Sequence, residues 1–172
     1  FKLEKIVRMT KLTMLVLAKQ LAAGNFKPFD FERVFGEKDN LEALNIDLKN
    51  GAKMYLRGKI DRVDTCDTDG KTLVKIIDYK TGNTKWETDM PYYGRALQLV
   101  IYLDAVMEQL SRSGKEILPA AFFYYHIDTP FLTRDEAKNE NAVLNKLKPS
   151  GIVNTDLDII RSEERRVGKE CT

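Results

Sequence analysis

"KIIDYKTG", residues 75–82, carries two isoleucines into an aspartate, a tyrosine and a lysine before the chain breaks at Thr81-Gly82. The apolar run reads as the buried part of a strand. Asp78 and Lys80, two apart, project from one face of its end. Working outward, Asp69-Gly70 is a two-residue hairpin signal between "AKMYLRGKIDRVDT" (52–65) and "TLVKIIDYK" (72–80). Strict alternation in the first of these puts Met54, Gly58 and Ile60 on one face and Tyr55, Lys59, Asp61 and Val63 on the other. The turn pairs Thr68 with Lys71, and counting back along both strands sets Asp61 opposite Asp78. Facing Cβ atoms are roughly 4.5–5.5 Å apart, and like charges so placed repel. A divalent cation between them resolves the conflict, because the ion's own charge inverts the local balance.

Two carboxylates and an ammonium at a strand end have a definite chemistry. Hard oxygen ligands in small number suit Mg²⁺, which keeps several waters and takes phosphate oxygens from a substrate, and Mn²⁺ is an alternative. Such a metal activates water and neutralises charge on a phosphodiester. Lys80 orients the water or stabilises the charged transition state. The bland reading is an exposed Asp78–Lys80 ion pair of little energetic worth, with Arg62 beside Asp61. A bare D-x-K decides nothing. G-x-x-D-R-x-D, a hairpin turn, I-I-D-Y-K-T-G and then Q-x-x-x-Y on a helix is far more specific.

The whole chain sets the frame. Its 172 residues make one ordinary domain, and 43% hydrophobic with 31% charged residues is a globular composition. A formal charge of +2 argues for no nucleic-acid partner by itself. Basic residues gather near the motifs, Lys59, Arg62, Lys75, Lys85 and Arg95, and guide phosphates or form a solvated face. No apolar run matches a membrane span and no signal-peptide pattern opens the chain, so no membrane partner is expected. Cys66 and Cys171 form neither a disulfide framework nor a zinc motif, and a cytoplasmic location is expected.

Along the chain, Leu3, Ile6, Val7, Met14, Leu17, Ala18 and Leu21 follow helical spacing up to Gly24-Asn25. "FKPFDFERVFGE" (26–37) alternates as a strand, and a short strand near 44–49 leads to Asn50-Gly51, a second two-residue hairpin signal. Tyr93, Ala96, Leu97, Val100, Leu103, Met107 and Leu110 trace an amphipathic helix. "PAAFFYYHID" (119–128) is an aromatic strand, and 133–147 a weaker helix. Its His126 reads as a hydrogen-bonded core residue and not as a base. The order gives a mixed α/β, or α+β, domain over residues 1–160. The last stretch, "RSEERRVGKECT" (161–172), is charged and aperiodic, resembles translated cloning-vector sequence, and reads as a non-native or disordered tail.

"LRGKIDRVD" (56–64), "VKIIDYKTG" (74–82) and "ALQLVIYLDAV" (96–106) together resemble the PD-(D/E)-x-K nuclease superfamily, and within it the RecB-like branch. "FKPFDFERVFG", "YYGRALQLVIYLDAV" and "PAAFFYYHI" extend the resemblance to the C-terminal nuclease domain of the B subunit of bacterial AddAB helicase–nucleases. The resemblance implies a restriction-endonuclease-like core, a mixed central sheet flanked by helices. It implies a metal-dependent DNA exonuclease that resects DNA ends for recombinational repair, with DNA and a helicase–nuclease A subunit as partners. Asp61, Asp78 and Lys80 then match the catalytic set, with Asp61, Asp78 and the carbonyl of Tyr79 on the metal. Gln98 and Tyr102 match the Q-x-x-x-Y motif and, with Arg62, are expected to contact DNA. From pattern alone Tyr102 is as much a core aromatic. Glu32 is expected to be structural or to stand near the metal without holding it.

Two departures stand out. RecB-like nucleases usually carry a histidine on a helix ahead of these strands, and the single histidine here is His126. The B subunits also hold an iron–sulfur cluster on four cysteines, which Cys66 and Cys171 do not match, so the cluster is expected only in a full-length subunit. No G-x-x-x-x-G-K-[ST] loop is present, so helicase activity is not expected of this piece. The competing readings are an idle DNA-binding or scaffolding module and another RecB-like exonuclease of Cas4 or phage type.

Overall fold

The computed structural model describes residues 2–36, 44–47, 50–81, 97–112, 114–128, 130, 133, 135 and 140–156. Its elements run α1 (Lys2–Ala23), β1 (Lys27–Phe35), β2 (Leu44–Asp47), β3 (Lys53–Leu56), β4 (Gly58–Thr68), β5 (Lys71–Lys80), α2 (Leu97–Ser111), β6 (Glu116–His126), α3 (Glu140–Lys146) and β7 (Ser150–Val153). Five strands form one sheet in the order β1-β4-β5-β6-β7, and β2 pairs with β3 separately. The β5–β6 pair is parallel and the others antiparallel, so the sheet is mixed as expected. A parallel pair needs a crossover, and α2 lies in it.

β5 sits in the middle because its sequence allows nothing else. Leu73, Val74, Ile76 and Ile77 are all buried, a run apolar on both faces that must be covered on both. Val74 and Ile76 join Ile60, Val63 and Tyr124 under Leu99, Tyr102, Leu103 and Val106 of α2. The helical residues recur at spacings of three and four, one apolar stripe of a helix. Ile77 joins Ala121, Phe123, Tyr125 and Leu147 against Val16 of α1 on the other face. The sheet thus has an α2 face and an α1 face.

The β4–β5 hairpin has the expected register. Asp69 (φ 42) and Gly70 (φ 80) are both left-handed, as a type I′ turn requires, and Thr68 pairs with Lys71. The paired residues run back to Arg62 opposite Ile77. Asn50-Gly51 differs from expectation. Asp47 pairs with Lys53, leaving residues 48–52 between them. Ala52 N donates to Asn50 Oδ1 at 3.1 Å, so the asparagine caps a longer loop and not a two-residue turn.

Other boundaries move for physical reasons. The 52–65 segment is two strands, because the chain leaves the small sheet at Arg57 and joins the large one at Gly58. Alternation also fails within β4, where Ile60 and Val63 share one cluster although expected on opposite faces. The irregularity brackets Asp61, whose neighbours pair with Phe31 and Arg33 on either side of Glu32, itself at φ 53. On α1, Thr13 and Val16 are buried while Leu3, Ile6, Val7 and Met14 are exposed. The helix forms where expected but turns a neighbouring face to the sheet. The expected helix starts at Tyr93 and Ala96 lie outside the described residues, as do Cys171 and the 161–172 tail, and the weak 133–147 helix is observed over Glu140–Lys146. No helix among the described residues is long and apolar enough to cross a membrane.

Candidate functional site

The site grows from the end of the β4–β5 ladder. Just past the Arg62–Ile77 pair, the backbone N–H of Tyr79 donates to Oδ2 of Asp61 at 2.7 Å. A side-chain carboxylate therefore takes a donor that lies beyond the paired strands. This fastens half-buried Asp61 to the backbone between Asp78 and Lys80. Asp78 follows Val74 and Ile76 onto the α2 face, opposite Tyr124 of β6, and only 3% of its surface is exposed.

Lys80 Nζ lies 2.6 Å from Oδ2 of Asp78 and 5.2 Å from the centre of the Tyr124 ring. Its approach to Asp78 is off the hydrogen-bond direction, and that buried oxygen has no hydrogen-bond partner. Burial holds the Asp78 carboxyl above its ordinary value. Lys80 opposes the shift, and the Asp61 charge adds to it in a smaller measure. Burial works against the Lys80 ammonium, but Asp78, Tyr124 and Asp61 more than offset it and leave its pKa raised. Lys80 is therefore a fixed positive charge near neutral pH and no general base.

A buried, anionic oxygen without an aligned donor, beside a second carboxylate, fits a hard divalent cation. Among the described residues no three His, Cys, Asp or Glu side chains gather into a metal site. Mg²⁺ does not need three, since water and substrate oxygens fill its remaining positions. Asp61 and Asp78 with a backbone carbonyl such as that of Tyr79 are a sufficient protein share. Glu32 instead forms an ion pair with Lys59 at the exposed edge.

Gln98 and Tyr102 lie one turn apart on α2, and Gln98 Nε2 donates to Tyr102 Oη at 2.7 Å. Tyr102 is buried edge-on against Phe35, ring centres 5.4 Å apart. It belongs to the same cluster as Tyr124, so this motif and Asp78 share the α2 face. Tyr102 is a core aromatic whose hydroxyl is bound by its motif partner.

Arg62 requires a correction. The sequence places it among the DNA contacts, but it is 4% exposed and binds Asp64, itself fully buried, through Nε and Nη2 at 2.6 and 2.7 Å. It lines a cleft of about 320 Å³ with Leu17 and Leu21 of α1, on the face opposite Asp78. The pattern R-x-D, with Lys75 set opposite Asp64 by the same hairpin register, is the available signal for this back-face pair. Tyr124 escapes sequence reasoning as well, because its position beside Asp78 depends on a parallel pairing that no local pattern encodes.

The fold and this constellation correspond to a known group. Residues 2–167 match the model of the PD-(D/E)XK nuclease superfamily, and the chain belongs to that superfamily. It is similar to the B subunit of the ATP-dependent helicase/deoxyribonuclease of Alkaliphilus metalliredigens, 36% identical over 98% of this chain and 15% of the relative. The B subunits of the same name in a Thermoanaerobacter species and in Clostridium tetani are 32% and 36% identical, over 95% and 90% of this chain and 15% and 14% of their own lengths. The chain thus spans about 15% of the curated relatives it matches.

Proposed function

We propose that this domain hydrolyses phosphodiester bonds in DNA as the nuclease portion of a helicase–nuclease B subunit. In this reading Asp61 and Asp78, with the carbonyl of Tyr79, hold Mg²⁺, or Mn²⁺ in its place. When bound, the cation supplies an activated water and neutralises charge on the phosphate. Lys80 keeps its proton and donates to the charge that builds in the transition state. Tyr124 supports the ammonium from below, and Asp61 ties the end of β5 in place through Tyr79 N–H. Gln98, exposed at the start of α2, offers its amide to the DNA backbone. The observation that carries the reading is Asp78 Oδ2, buried without a hydrogen-bond donor beside Lys80 and near Asp61.

The parent assembly would pair this subunit with a helicase–nuclease A subunit and resect DNA ends by exonucleolytic cleavage for recombinational repair. The names of the relatives support that setting. The test is end-labelled DNA incubated with the assembled full-length subunits in Mg²⁺, Mn²⁺ or EDTA. Shortened products with either metal and none in EDTA are expected. Cleavage that survives EDTA overturns the metal assignment, and DNA binding without cleavage in any metal favours an idle module.

A further inference from the structure

The back of the sheet carries charges that the nuclease reading leaves unused. Arg62 and Asp64 are buried on the α1 face, and Lys75 stands 3.7 Å from Asp64 with its ammonium 4.3 Å from the Phe26 ring. Burying such a group brings a large desolvation cost, and an apolar replacement is often no less stable, so stability alone is a weak account of it. The guanidinium has one more contact. Arg62 Nη1 donates to Tyr79 Oη at 3.3 Å. Tyr79 is the residue between Asp78 and Lys80, and its own N–H holds Asp61. Its ring is packed edge-on against Tyr125, 5.9 Å between centres.

We propose that Arg62 and Asp64 are positioning residues, a brace that acts through the Tyr79 hydroxyl to set the spacing of Asp61 and Asp78 on the opposite face. Arg62 is adjacent to Asp61 on β4, and Tyr79 is adjacent to Asp78 on β5. The Arg62–Tyr79 hydrogen bond therefore ties the two strands together where their backbone ladder ends. The planar guanidinium fits this role because it binds both Asp64 oxygens and reaches Tyr79 with the nitrogen left over. A lysine has no such fork. The inference rests on the metal reading of Asp61 and Asp78.

Its test is Mn²⁺ binding to the 172-residue chain, followed by calorimetry or by the loss of the free-ion paramagnetic resonance signal. Tyr79→Phe removes one hydroxyl and keeps the ring and the backbone carbonyl. Arg62→Lys keeps the charge and loses the fork. Each is expected to weaken Mn²⁺ binding on the order of tenfold, the usual loss when a group that orients a ligand is removed. The double variant should bind no more weakly than the worse single one, because both changes break one connection. A merely structural pair lowers the melting temperature and leaves Mn²⁺ affinity unchanged, and that result overturns the brace. Additive losses in the double variant overturn it as well. Asp78→Asn separates the two readings: if it binds Mn²⁺ as wild type does, the metal site itself is wrong and the brace falls with it.

Discussion

Lys80 is the residue on which the chemistry turns. Its ammonium is held protonated by Asp78, Tyr124 and Asp61 against the effect of burial, so it acts as charge and donor. Lys80→Ala is expected to lower cleavage of end-labelled DNA by on the order of a hundredfold or more, since a donor aimed at developing charge acts mainly on the transition state. DNA affinity should change little, and turnover at the wild-type rate would remove Lys80 from the mechanism. Lys80 and Asp78 are legible from "IIDYKTG" because a two-residue spacing on a strand fixes a shared face. Arg62 is not, since its surroundings depend on where α1 packs. The repulsion expected between Asp61 and Asp78 is present but small, and burial is the larger cause of the Asp78 shift.

At the scale of elements, the Asp69-Gly70 turn carries most of what the sequence reveals. Two left-handed residues fix one register, and that register brings the ends of β4 and β5 to one place. Asn50-Gly51 is the same kind of signal, and it yields a hairpin with a longer loop than expected, because the side chain of Asn50 supplies a bond of its own. In the sequence Gly58 reads only as part of an alternating strand. A Cβ there would stand 2.5 Å from Phe35 Cε1 and 2.8 Å from Tyr102 Cε1. Gly58→Ala should therefore cost about 1–3 kcal/mol through overpacking. For a domain of this size that lowers Tm by roughly 2–4 °C per kcal/mol. Trimming the opposing ring with Phe35→Leu in the same chain should restore part of the loss. An unchanged Tm in Gly58→Ala would show that β4 does not approach α2 so closely.

For the whole molecule, the mixed sheet with helices on two faces follows from periodicity and turn chemistry, whereas the parallel β5–β6 pairing comes from resemblance alone. The histidine expected ahead of the strands and the cluster cysteines have no counterpart here, so the 172-residue chain alone should cleave DNA weakly or not at all. The full-length B subunit assembled with its A partner should be active, and robust cleavage by the isolated chain would show those parts dispensable. The carboxylate pair can be tested without turnover. Asp78 has a raised folded pKa, so its contribution to stability is fully present below the unfolded carboxylate value and is lost as pH rises through the folded one. Near neutral pH its ionisation works against the metal-free fold, and Asp78→Asn should leave metal-free stability unchanged or higher. Mg²⁺ bound by the folded state alone stabilises it, by about 2.7 kcal/mol at a hundredfold excess over Kd. Thermal melts of wild type and Asp78→Asn with and without Mg²⁺ are the most direct test. The account predicts a metal-dependent rise in Tm for wild type that is mostly absent in Asp78→Asn, and an equal response of the two proteins would contradict it.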